Sequence, residues 1–170
     1  MKEPLLILVD NNDQEIGQMN KLEAHEKGVL HRAISVLIFN TKGDWLLQKR
    51  ASSKYHSPSL WSNTCCSHPV PGETSIKAAE RRLREEMGMT VDLNFSFNFT
   101  YKADFNNGLI EHELDHVFFG ISDELPIINR EEADDFEYVG QSLLLKNIKE
   151  NPSHYTEWFK ILLPTVLEKI

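Results

Sequence analysis

Glu111, Glu113 and Asp115 are spaced by two and lead into Val117, Phe119 and Ile121 at the same spacing. On a strand, residues two apart point the same way, so the three carboxylates share a face. Such a row is either a solvated outer face or a metal or acid–base site at the open end of a strand. His112 and His116 fall on the opposite face; with His56 and His154 they read as structural or surface histidines. A second cluster lies in Trp61-Ser62-Asn63-Thr64-Cys65-Cys66-Ser67-His68-Pro69. A thiol and an imidazole two residues apart do not make a protease triad, which assembles from distant segments. Cys66 and His68 could ligate one metal, or one could ligate while the other reacts. A buried thiol is the plainer reading of Cys66 alone, and no second pair with structural-zinc spacing accompanies it. His25 and His31, on either side of Gly28, fit a loop entering a strand, where their rings could converge.

The charge balance limits what such residues could serve. The chain has 170 residues and a formal charge of −8, with no basic stripe of the kind that neutralises a nucleic-acid backbone. A site for a small anion must then be built locally, from a few cations or a metal. Lys21, Arg50, Lys54 and the arginines at 81, 82 and 84 are the cations available. Carboxylates that hold a metal reverse their own local effect, because the bound ion outweighs them. Cys65 and Cys66 are adjacent, cannot staple a fold, and read as reduced thiols in a reducing compartment. The apolar run Leu5 to Val9 is too short for a signal-peptide core, and no run approaches the ~20 residues of a membrane span. A cytoplasmic protein without a membrane segment is expected.

The elements that must position these residues are legible in part. The length fits a single domain over residues 1–170. Leu5 to Val9 reads as a buried strand. Lys21 to Gly28 is polar and irregular, and Ala33 to Phe39 with Trp45 to Arg50 reads as a hairpin around Asn40-Thr41-Lys42-Gly43. Ala51 to Pro71 reads as a long loop. Thr74 to Met87 is the clearest helix, with Thr74 as its cap, Gly88 as its stop and Ile76, Ala79, Leu83 and Met87 on one face. Val91, Leu93, Phe95, Phe97, Phe99 and Tyr101 alternate as the single apolar face of a strand. Asn107-Gly108 turns it into a partner strand from Leu109 to Ile121. Glu131 to Glu137 reads as a solvated acidic segment, and Gln141 to Ile148 and Tyr155 to Ile170 as helices. The expected class is α+β: a mixed sheet, a central helix and a helical C-terminus.

Taken together, Thr64-Cys65-Cys66-Ser67-His68-Pro69 and Glu111-His112-Glu113 strongly resemble the type 1 isopentenyl-diphosphate isomerase family of the Nudix superfamily. Ala24-His25, His31, Arg50-Ala51 with Lys54, and Tyr101 fall in the order that family shows, and the resemblance runs from about Lys21 to Trp158. Glu73, Arg81, Leu83, Glu85, Glu86 and Gly88 match the Nudix signature in register, with Ser67 where that signature has its leading glycine. Arg82 stands where a Nudix hydrolase has a metal-holding Glu, which counts against the alternative reading, a Nudix-type hydrolase of a small diphosphate.

The resemblance implies interconversion of isopentenyl and dimethylallyl diphosphate. It implies that His25, His31, His68, Glu111 and Glu113 hold one zinc or manganese ion, a donor set that suits such an ion. Glu86 would hold a magnesium ion shared with the substrate diphosphate. Lys21, Arg50, Lys54 and Arg82 would bind the diphosphate. Cys66 and Glu113 would be the acid–base pair, with Tyr101 beside Glu113 and Trp158 facing the hydrocarbon. No flavin, nucleic-acid or membrane partner is expected. The oligomeric state and the role of Cys65 have no signal in the sequence.

Overall fold

A computed structural model describes residues 3–170 of the chain. One mixed sheet carries nine strands: β1 (Leu5–Val9), β2 (Glu15–Asn20), β3 (His31–Phe39), β4 (Trp45–Arg50), β5 (Trp61–Ser62), β6 (Cys65–Ser67), β7 (Asn94–Asp104), β8 (Ile110–Ile121) and β9 (Ala133–Val139). Four helices accompany it: α1 (Lys21–Lys27), α2 (Ser75–Met87), α3 (Gln141–Glu150) and α4 (Glu157–Lys169). This is the expected α+β class.

β3 is the axis of the sheet. Alternation along it sends Ile34, Val36 and Ile38 into a core with Ala78, Ala79, Leu83 and Met87 of α2. Leu37 goes to the opposite core, with Trp45, Leu47, Val117 and the α4 residues Trp158, Phe159 and Leu162. Each fully buried Val, Leu, Ile, Phe or Met among them contributes roughly 1.5–3 kcal/mol. β8 runs parallel to β3 along its whole length, from His31↔Glu113 to Phe39↔Ile121.

Several expectations need correction. Lys21 to Gly28 is not irregular: it forms α1, and Gly28 ends that helix in the left-handed region at φ 64°. The expected hairpin of β3 and β4 pairs only at Ile38↔Leu46 and Phe39↔Trp45. Beyond those two pairs β4 joins β5 and β9, while β6 takes the place beside β3. The long loop 51–71 therefore contains two short strands, too brief to leave a periodic signal. Alternation in β7 is broken by a register shift between Phe95 and Phe97. Phe95 is exposed while Phe97 is buried, because one bulged residue flips every side chain before it. Residues 133–139 are not a solvated acidic segment but β9, paired with β4. The helix α2 begins after a Thr74 cap and stops at Gly88, as its sequence signals predict.

Candidate active site

The sheet brings the chemical residues together on one face. Glu113 stands opposite His31, and Cys66 stands opposite Ser35 on the other side of β3. His25 comes from α1, which Gly28 turns directly into β3. His68 follows β6. All three imidazoles meet: ring centroids are 5.0 Å apart for His25 and His31, 5.1 Å for His31 and His68, and 5.9 Å for His25 and His68.

One ligand atom from each of His25, His31, His68 and Glu113 lies within 4.8 Å of the others. The Nδ1 atoms of His25 and His31 lie 2.6 and 2.8 Å from the carbonyls of Lys21 and Val29. A carbonyl accepts only, so each Nδ1 carries the proton and each Nε2 a free lone pair. Both Nε2 atoms are buried without a hydrogen-bond partner, which is costly unless something binds them. Burial also disfavours the charged form of two of the rings: His25 is lowered, and His68 falls to about 3. Burial opposes ionisation of Glu113, yet the His31 and His68 rings beside it, at 3.4 and 2.9 Å from Oε1, hold it well below the usual carboxylate range. A buried carboxylate with three imidazole nitrogens fits a divalent ion of intermediate softness.

Glu111, the fifth ligand the resemblance implies, lies outside this group of four. Its Oε2 is 3.0 Å from the Tyr101 hydroxyl, which is 2.7 Å from Glu113 Oε2. One hydroxyl proton cannot serve two carboxylates at once. Burial and the charge of Glu113 raise Glu111 to about 8, so a protonated Glu111 can donate to the hydroxyl while the hydroxyl donates to Glu113. Behind them Asp115 accepts the Ser35 hydroxyl at 2.7 Å and is raised by burial.

His68, Tyr101, Glu111 and Glu113 line one cavity with Lys21, Arg50, Lys54, Arg82, Cys66, Glu86 and Trp158. Burial pushes the Cys66 thiol well up, and both cysteines are free thiols. The Arg50 guanidinium lies 5.1 Å from the Trp158 ring, within cation–π range. Arg82 is closed on carboxylates: Nη2 reaches Glu86 at 2.7 Å and Glu132 at 3.2 Å, and Nη1 reaches Glu85 at 2.7 Å. Glu132 also binds Lys54, and Gln48 donates to the second oxygen of Glu86 at 2.9 Å.

Every site residue expected from the sequence that concerns metal, acid–base chemistry or anion binding thus reaches this cavity or the histidine cluster beside it. Reading the sequence missed Glu132, hidden in an acidic run, and Gln48 and Ser35, hidden in apolar strands. His56, read as a structural or surface histidine, is part of the cavity wall, in a stretch without period or motif. His112 and His116 do face away, toward the Gly28 carbonyl and Asp13.

Comparison with known proteins agrees with this geometry. The NUDIX domain model matches residues 29–159. A protein of Pectobacterium atrosepticum named isopentenyl-diphosphate Delta-isomerase is 51% identical over 92% of this chain and 87% of its own. An Aromatoleum aromaticum protein named isopentenyl-diphosphate Delta-isomerase 1 is 51% identical over 97% and 93%. Among solved structures, a Deinococcus radiodurans protein superposes with a TM-score of 0.77 at 19% identity, covering 94% of this chain and 98% of that one. A MutT NUDIX hydrolase from Burkholderia pseudomallei superposes at 0.62 and 17% identity, covering 83% and 98%. The last two speak to the fold alone. With a NUDIX fold, relatives at half identity over nearly the whole chain, and a three-histidine cluster beside a thiol and two glutamates, the chain belongs to the isopentenyl-diphosphate Delta-isomerase family.

Proposed function

We infer that this protein, acting as one domain in the cytoplasm, interconverts isopentenyl diphosphate and dimethylallyl diphosphate. The observation that carries this reading is a single cavity in which a thiol, a hydrogen-bonded carboxylate and an indole share space with four cations. Moving a double bond requires adding a proton at one carbon and removing one from another. An alkene is a weak base, so protonation leads to a tertiary carbocation or something close to it. Such a reaction needs a donor and an acceptor fixed in place. Cys66 and Glu113 fill these roles, with the Tyr101 hydroxyl holding Glu113. Trp158 offers a ring face to a developing cation, an interaction of roughly 0.5–2 kcal/mol or more when desolvated. The buried setting limits capture of that cation by water.

His25, His31, His68 and Glu113 would hold zinc or manganese, with Glu111 joining by a change of side-chain position. Such an ion supplies charge that fixes and acidifies the Glu113 end of the cavity. Glu86 would hold magnesium together with the diphosphate, and Lys21, Arg50, Lys54 and Arg82 would bind its oxygens. Arg82 replaces a metal-holding Glu of the hydrolases and is ion-paired to Glu86, which disfavours diphosphate hydrolysis. Purified protein with zinc or manganese and magnesium is expected to equilibrate the two five-carbon diphosphates without releasing inorganic phosphate or diphosphate. Phosphate release without isomerisation would sink the reading.

A further inference from the structure

We propose that His56 is a specificity-determining wall of the hydrocarbon end of the cavity and limits the size of the alkyl branch that can bind. The inference rests on the isomerase reading above and goes beyond it, since the resemblance assigns His56 nothing.

His56 sits among aromatic rings: Trp158 at 5.8 Å and 78°, Phe105 at 5.8 Å and 41°, and Tyr55 at 4.8 Å and 76°. Trp158 is the ring that faces the hydrocarbon in the reading above, so His56 extends that wall. Neither ring nitrogen makes a hydrogen bond. Nδ1 is buried without a partner, and Nε2 is 4.0 Å from Glu111 Oε1, beyond hydrogen-bond reach. With aromatic rings on three sides and the cavity on the fourth, the His56 ring contributes its shape to the cavity wall.

The backbone keeps that shape in place. Ser57 and Ser59 occupy the left-handed region at φ 49° and 61°, a conformation that non-glycine residues hold only when the surroundings impose it. The imposing group is Arg50, whose Nε donates to the Ser57 carbonyl at 3.1 Å and whose Nη2 donates to the His56 carbonyl at 3.2 Å. The Arg50 backbone closes the same segment through Ser59 and Leu60. His56 is therefore pinned at its backbone by a residue that also faces the cavity, and its ring is flanked by those of Tyr55, Phe105 and Trp158.

The test compares kcat/KM for isopentenyl diphosphate with that for its six-carbon homologue, in which an ethyl group replaces the methyl branch. The metal-loaded protein is used throughout. His56→Ala is expected to raise the homologue-to-parent ratio by about tenfold, the lower end of what one methylene commands in a fitted pocket. His56→Phe, which restores a flat ring without nitrogens, is expected to keep the wild-type ratio. His56→Val, smaller but apolar, is expected to raise it and serves if His56→Ala fails to fold by thermal unfolding. An unchanged ratio in His56→Ala and His56→Val overturns the inference. So does a His56→Phe protein that behaves like His56→Ala, because the nitrogens would then matter. Absence of wild-type turnover on isopentenyl diphosphate would instead overturn the isomerase reading, and the inference with it.

Discussion

The two ends of the cavity satisfy their polar groups in opposite ways. At the histidine end, His25 and His31 point buried Nε2 atoms at one another's neighbourhood with no partner. At the arginine end, Lys54 and both terminal nitrogens of Arg82 are paired with Glu85, Glu86 and Glu132, and only Arg82 Nε is left without a partner among the described residues. At the first end, backbone carbonyls fix the His25 and His31 rings so that their Nε2 lone pairs point away from the bonds that hold them. The second is closed on its own ion pairs, and in the proposed reading a diphosphate would displace carboxylates to enter. A prebuilt ligand cage gives affinity for one ion. An exchangeable ion-pair network gives reversible binding of an anion, since each bond lost to Glu132 is replaced by one to phosphate. Lys21 and Arg50 differ from both: among the described residues neither pairs with a carboxylate, leaving two cations ready for first contact.

The largest expected effect lies where the chemistry is assigned. Cys66→Ala and Glu113→Gln are each expected to lower kcat by at least 10²–10⁴-fold, the range of general acid–base catalysis, while circular dichroism and gel filtration remain those of the wild type. A wild-type rate in either variant would remove that residue from the acid–base pair. Next comes the cage. Zinc added to metal-stripped protein is expected to raise the unfolding free energy by about 2.7 kcal/mol at a hundredfold excess over its Kd. His31→Ala is expected to lose most of that gain, because it deletes one of four ligands. Equal stabilisation of both proteins in calorimetry would show that the cage is not the binding site.

The arginine end gives a smaller effect of a different kind. Arg82→Ala is expected to raise KM for isopentenyl diphosphate by roughly tenfold, about 1.4 kcal/mol for one charged contact, and to change kcat less. A fall in kcat at constant KM would place Arg82 in the chemical step and blur the contrast between the two ends. The smallest effect belongs to an ion pair outside both. Lys77–Glu80 on α2 is exposed, and Lys77→Ala is expected to change stability by less than ~0.5 kcal/mol in urea unfolding and turnover not at all.

Reading the chain without coordinates reaches a long way here because the chemistry lies on regular elements. Spacing of two places Glu111, Glu113 and Asp115 on one face of β8, and all three are buried there. The α2 helix carries its own cap and stop. Failures cluster where local signals are short or broken. The two-residue and three-residue strands β5 and β6 are too short for periodicity to register. The β7 bulge removes Phe95 from the face its alternation predicts.

Residue types and spacing alone determine that the chain is acidic, α+β, equipped with a thiol, a run of carboxylates and scattered histidines, and unlike a nucleic-acid binder. Strand pairing decides the rest. Cys66 and Glu113 share a face because β6 and β8 flank β3, a register set by long-range hydrogen bonds that no local pattern encodes. Which histidine becomes a cage nitrogen and which a cavity wall depends on what packs around each ring. His25 and His56 look alike as isolated residues, and only the carbonyl of Lys21 beside one and the rings of Trp158 and Phe105 beside the other separate them.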